Sequence, residues 1–109
     1  MKMKNDVSES DVVACFDKEA LALKLVPVKV TPLGVAGFPD KIYFGHRRII
    51  FFVEFKRPGK KPRSLQIVWH KLLKKMGFNV HVFSHKDSEA ARKICSAEIQ
   101  SRNLSRGRN

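Results

Sequence analysis

The stretch Ile49 to Lys56 (IIFFVEFK) constrains this chain more than any other. From Ile49 to Val53 it runs through β-branched and aromatic residues without a polar interruption. The run is short and does not alternate, which predicts a strand buried on both faces. Such a strand lies inside its sheet with helices above and below, the plan of an α/β layered domain. Glu54 interrupts the apolar run near its end. A carboxylate there is costly to desolvate without a partner. Alternate residues of a strand share a face, so Lys56 lies on the face of Glu54. A second carboxylate, Asp40, opens the preceding strand, Asp40 to Phe44. With residues 45–49 as a hairpin loop, Phe44 faces Ile50 and Asp40 faces Glu54, about 5 Å apart at Cβ. One cation can bind both carboxylates at that separation.

The rest of the chain supplies the layers. Ser8 or Ser10 caps a helix to about Lys24, with Val12, Val13, Phe16, Ala20 and Leu23 at core spacing. Leu25 to Val30 (LVPVKV) reads as a strand that Pro27 confines to an edge or distorts, and Thr31 to Gly37 as a loop. Arg57 to Arg63 is a stiff basic loop. Ser64 caps the next helix, Leu65 to Met76, which Gly77 ends. Its apolar positions Leu65, Val68, Trp69, Leu72, Leu73 and Met76 mark one stripe, with Lys71, Lys74 and Lys75 on the polar side. Phe78 to Phe83 predicts a fourth strand and Lys86 to about Ile99 a third helix. The order α-β-β-β-α-β-α, with a right-handed crossover from residue 49 to 83, predicts a mixed four-stranded sheet flanked by helices. The 109 residues, 43% of them hydrophobic, suit one domain with a real core. That domain is expected at residues 8–100, between a flexible N-terminus, 1–7, and a basic disordered tail, 101–109. Cys15 and Cys95 stand in no CxxC or Cys/His cluster and read as small buried hydrophobes. The histidines His46, His70, His81 and His85 are scattered and read as surface or core residues.

Phosphodiester hydrolysis needs an activated water, a clamp for the phosphate's charge and help for the leaving oxygen. Mg²⁺ supplies all three and binds through one or two carboxylates. Asp40 and Glu54 match that demand, and Lys56 can orient the water or stabilise charge at phosphorus. Pro39-Asp40, thirteen intervening residues and then Glu54-Phe55-Lys56 is the PD-(D/E)xK nuclease signature. Phe38 ahead of it, Phe52 to Gly59 around it, Gln66 ten residues on and a helix closed by Gly77 narrow it further. From about Ser8 to Phe83 the chain resembles the virus-type replication-repair nuclease (VRR-NUC) domain. The resemblance implies a restriction-endonuclease-like core and a Mg²⁺-dependent DNA nuclease, with Mn²⁺ able to substitute. It implies a ligand role for the backbone carbonyl of Phe55. It also implies that Glu9, within Ser8-Glu9-Ser10-Asp11-Val12, completes the metal site, with Asp11 and Glu19 as weaker substitutes. An acid in a first helical turn favours the helix dipole in any case. The resemblance further implies an assisting role for Gln66 and a phosphate contact for Lys29, eleven residues before Asp40. A stand-alone domain of this size is similar to the family's phage type.

Charge points to the substrate. Lys and Arg number 22 against 10 Asp and Glu, a net charge of +12 with a pI near 10.2. Such a balance calls for a polyanionic partner, nucleic acid first and an anionic membrane second. No apolar run approaches the roughly 18 residues of a membrane span. The start MKMKND is too polar for a signal peptide, so a cytoplasmic protein without a membrane partner is expected. No acid occurs between Phe55 and Lys86, whereas Lys56, Arg57, Lys60, Lys61, Arg63, Lys71, Lys74, Lys75 and Lys86 form a track for phosphates. Walker and Rossmann glycine patterns are missing, and no small-molecule substrate is expected. The rival readings are a non-catalytic basic DNA-binding protein and a nuclease for RNA or linear DNA. Phe38, Tyr43, Phe44 and Phe83 lie near element ends, where an isologous dimer would cover them. The family's small members are associated with two-fold dimers and branched DNA. A homodimer that cuts four-way junctions is therefore expected.

Overall fold

A computed structural model describes residues 6–30 and 35–107, the last four by backbone alone. The elements are α1 (Glu9–Ala22), β1 (Val26–Lys29), β2 (Lys41–Gly45), β3 (Ile49–Phe55), α2 (Ser64–Lys75), β4 (Asn79–Phe83) and α3 (Ser88–Gly107). Their order is the expected α-β-β-β-α-β-α. The strands form one sheet in the order β1-β2-β3-β4. The pairs β1–β2 and β2–β3 are antiparallel, and β3–β4 is parallel. Expectations for residues 1–5, 31–34 and 108–109 lie outside the described residues.

Local chemistry sets the hairpin that aligns the two carboxylates. Arg47 and Arg48 take left-handed backbone angles, φ 60° and 64°. Two such residues in succession give the turn twist that matches paired strands. The resulting register pairs Phe44 with Ile50 and Lys41 with Val53. One further step places Asp40 across from Glu54, as the sequence predicts. β3 lies between β2 and β4 and is buried along nearly its whole length.

One face of the sheet is covered by α1 and α3. Ser8 caps α1: its Oγ accepts from Asp11 N at 3.1 Å, and Asp11 Oδ2 accepts from Ser8 N at 3.0 Å. The helix buries Val12, Phe16 and Ala20. Phe16 is the hub, its ring edge-on to Tyr43, Phe55 and Phe83 at centroid distances of 5.0, 5.6 and 5.1 Å. Tyr43 and Phe83 are therefore core residues rather than the surface aromatics expected at an interface. Alternation in β2 and β4 turns both toward Phe16. Burial pushes the Cys95 thiol up to about 12, and Cys15 is likewise buried and free.

The opposite face carries α2 alone, over Phe52, Leu73 and Val80, with Phe38, Ile42 and Phe78 packed around them. Two expectations for α2 need correction. Its N-cap is Arg63 rather than Ser64, and Arg63 N donates to Gln66 Oε1 at 2.7 Å. Its apolar stripe is also largely bare: Leu65, Val68, Leu72 and Met76 are exposed. The helix buries His70 and Leu73, with Gln66 and Trp69 half-buried beside them. The hydrogen bond from Gln66 Nε2 to Glu54 Oε2, 2.8 Å, holds α2 at this rotation.

α3 also departs from expectation. It continues to Gly107, so residues 101–107 are helical rather than a disordered tail. The hairpin holds that end in place. Arg102 Nε donates to the carbonyl of Arg47 at 2.9 Å, and Arg47 Nη1 donates to Asn103 Oδ1 at 2.8 Å. Farther up, Glu98 binds His81 at 2.6 Å and accepts from Asn79 Nδ2, tying α3 to β4. Among the described residues, no helix is long and apolar enough to cross a membrane.

Candidate active site

The site forms where β2 begins and β3 ends. Gly37 enters it at φ +84°, and a Cβ there would stand 2.7 Å from Leu65 Cγ. Only glycine combines that backbone angle with so close an approach to α2. Pro39 follows, fully buried. Asp40 is then locked by an accepted hydrogen bond, Phe55 N to Oδ2 at 2.7 Å. The last residue of β3 thus fixes the carboxylate at the mouth of β2.

Glu54 is 1% exposed, one of few charged side chains so deeply buried. Its Oε2 accepts from Gln66 Nε2 at 2.8 Å, and Lys56 Nζ stands 3.7 Å from the same oxygen. Its Oε1 has no hydrogen-bond partner. Burial, and then the negative charge of Asp40, push the Glu54 carboxyl up to about 8, while Lys56 opposes them. Two carboxylates held together in this way need a cation or a proton between them. Their oxygen donors, one of them unsatisfied, suit a hard divalent cation such as Mg²⁺.

The other predicted residues lie at varied distances from this pair. Glu9, the first residue of α1, is exposed at the rim. With Lys29, Asp40 and Phe55 it lines a cavity of about 600 Å³. It also borders a second cleft with Arg57 and Lys60 of the β3–α2 loop. Among the described residues no three His, Cys, Asp or Glu side chains are gathered for a metal ion. Asp40 and Glu54 form a pair, and Glu9 stands outside it. Gln66 touches Glu54 directly. Lys61 and Arg63 lie on the loop, and Lys71, Lys74 and Lys75 are exposed on the outer side of α2.

Two features have no counterpart in the sequence reading. Asp17, on the cavity wall, accepts from the Tyr43 hydroxyl at 2.5 Å and pairs with Lys41. Burial and this hydrogen bond push the Tyr43 phenol well above its ordinary range. The second is His70, 6% exposed, whose Nε2 lies 3.7 Å from Glu54 Oε1. The signal for His70 is its place four residues after Gln66, on the same helix face. Asp17 carries no such signal, because its partners come from another element.

No known family model matches the chain, and no curated protein matches it. A solved structure described as "VRR_NUC domain" is similar, with a TM-score of 0.71 and 28% sequence identity. The match covers 81% of this chain and 94% of that one.

Proposed function

We propose that this chain, a VRR-NUC domain by its fold and its sequence identity to a solved one, is a metal-dependent DNA endonuclease that acts on branched DNA. The observation that carries the reading is the Asp40–Glu54 pair, with an unsatisfied oxygen and a proton affinity raised by burial and mutual repulsion. Asp40 and Glu54 would hold Mg²⁺ or Mn²⁺, with the Phe55 carbonyl and Glu9 as further donors. When bound, the cation supplies charge neutralisation at the phosphate and a more acidic water. Lys56 is near enough to Glu54 to donate to a phosphate oxygen or to orient the attacking water. Gln66 fixes the Glu54 carboxylate and orders the start of α2 with the same amide. Lys29, Arg57, Lys60, Lys61 and Arg63 hold phosphates flanking the scissile one, and Lys71, Lys74 and Lys75 extend the contact along α2.

The proposal includes a homodimer. Val26 and Val28 pair with Phe44 and Ile42 and share their sheet face. Val26, Val28 and Phe44 are exposed, because α2 covers only part of that face. Leu65 packs on Gly37 just ahead of β2, and Leu65, Val68, Leu72 and Met76 of α2 are exposed as well. So many exposed apolar side chains on a chain of net charge +12 point to an interface. A second copy related by a two-fold axis covers it and sets two sites at a fixed separation. A junction presents two like strands to such a pair.

The test is a panel of linear, nicked, flapped and four-way DNAs with Mg²⁺, Mn²⁺ or a chelator, beside sedimentation of the protein. A dimer that cuts the junction in preference to the duplex, and only with metal, is the expected result. A monomer near 12.5 kDa cutting both equally overturns the branched-DNA and dimer readings and leaves the nuclease reading standing.

A further inference from the structure

α2 meets Glu54 twice. Gln66 Nε2 donates to Oε2 at 2.8 Å. One turn later His70 brings Nε2 to 3.7 Å from Oε1. The two atoms of this second approach are buried, and among the described residues they are the buried side-chain atoms without a hydrogen-bond partner. The gap exceeds the usual N–H···O distance by about 0.8 Å. An orphaned buried polar group is unfavourable, because it has given up water without gaining a partner. Here two of them face each other at the centre of the site. Burial holds the imidazole neutral, with the charge of Lys74 acting the same way. A neutral ring still donates one N–H.

We propose that His70 is a positioning residue, whose Nε2–H closes on Glu54 Oε1 when a divalent cation is bound. Gln66 and His70 then grip one oxygen each. Each carboxylate oxygen has two lone pairs, so one on each stays free to face the cation. The two donors fix the plane of the carboxylate, as outer-shell partners do for metal ligands generally. This inference rests on the reading of Glu54 as a metal ligand.

The test compares the parent with His70→Leu, which keeps apolar bulk, and His70→Gln, which keeps a donor of similar reach. Calorimetry of Mn²⁺ binding to the metal-free protein is read beside single-turnover cleavage, DNA affinity in chelator and thermal melting. His70→Leu is expected to weaken Mn²⁺ binding and cleavage by about 10–100-fold. Its DNA affinity and melting temperature are expected to stay at or above the parent's. His70→Gln is expected to recover most of the Mn²⁺ affinity. Mn²⁺ binding and cleavage by folded His70→Leu at parental levels overturn the proposal. So does a folded His70→Gln as impaired as His70→Leu. If His70→Leu fails to fold, His70→Gln decides alone, parental Mn²⁺ affinity supporting the donor role and its absence overturning it. A parent that neither binds Mn²⁺ nor cuts DNA overturns the nuclease reading and this inference together.

Discussion

Glu54 concentrates the molecule's chemistry in one side chain. Its carboxyl, pushed up to about 8, keeps a proton in the folded state that the unfolded chain releases near 4.5. Stability from that proton is complete below the ordinary value and disappears as pH rises through about 8. His70 acts in the opposite sense: burial disfavours its protonation, which costs stability below its ordinary 6.5. The window from about pH 6.5 to 8 therefore belongs to Glu54. Metal-free protein should lose melting temperature across that window, by several degrees at about 4–8 °C per kcal/mol. Glu54→Gln should flatten the curve and melt above the parent at pH 8, and Mn²⁺ should flatten it in the parent. A level curve for the metal-free parent contradicts the burial of a paired carboxylate. Asp40 and Glu54 are legible in the sequence because strand alternation and a hairpin register are regular. Asp17 is not, because its partners Tyr43 and Lys41 lie on another element and no local spacing connects them.

At the scale of elements, α2 separates what periodicity predicts from what packing selects. The positions facing the sheet, 66, 69, 70 and 73, are largely the apolar stripe displaced by one residue, about 100° round the helix. Apolar spacing alone favours the stripe. A buried carboxylate that takes a donor from Gln66 outweighs it, since an unpaired one costs more than a few exposed methyl groups. The rotation leaves Lys71, Lys74 and Lys75 exposed on the outer surface. Reversing all three to Glu should weaken binding to every DNA alike and flatten its salt dependence. Each lysine taken off a phosphate should reduce the slope of log K against log salt by about 0.9. Titrations at several salt concentrations read this directly, and an unchanged slope places the DNA elsewhere. The end of α3 shows the same limit of local patterning. Composition marks residues 101–107 as basic and polar, but the hydrogen bonds of Arg102 and Asn103 with Arg47 join positions far apart in the chain.

In the whole molecule, the sheet order and the crossover are readable because β3 is apolar on both faces and so must be central. The uneven cover is not readable, because a stripe of apolar residues does not reveal what it faces. That unevenness gives the proposed dimer its surface. Val68→Glu with Leu72→Glu should yield a monomer by sedimentation and lower the junction-to-duplex cleavage ratio. The monomer's own melting temperature should change little, since both side chains are already exposed. A dimer that survives both charges places the interface elsewhere. The paired carboxylates themselves are tested most directly by cleavage of a labelled four-way junction in Mn²⁺. The parent is run beside Asp40→Asn and Glu54→Gln, with DNA affinity measured on the same samples. Cutting by the parent alone is predicted, with affinity retained or tightened in both variants, because each removes a negative charge that faces phosphate. Cutting by both variants at the parental rate, or DNA binding by the parent with no cutting in Mn²⁺, would contradict a catalytic role for the pair.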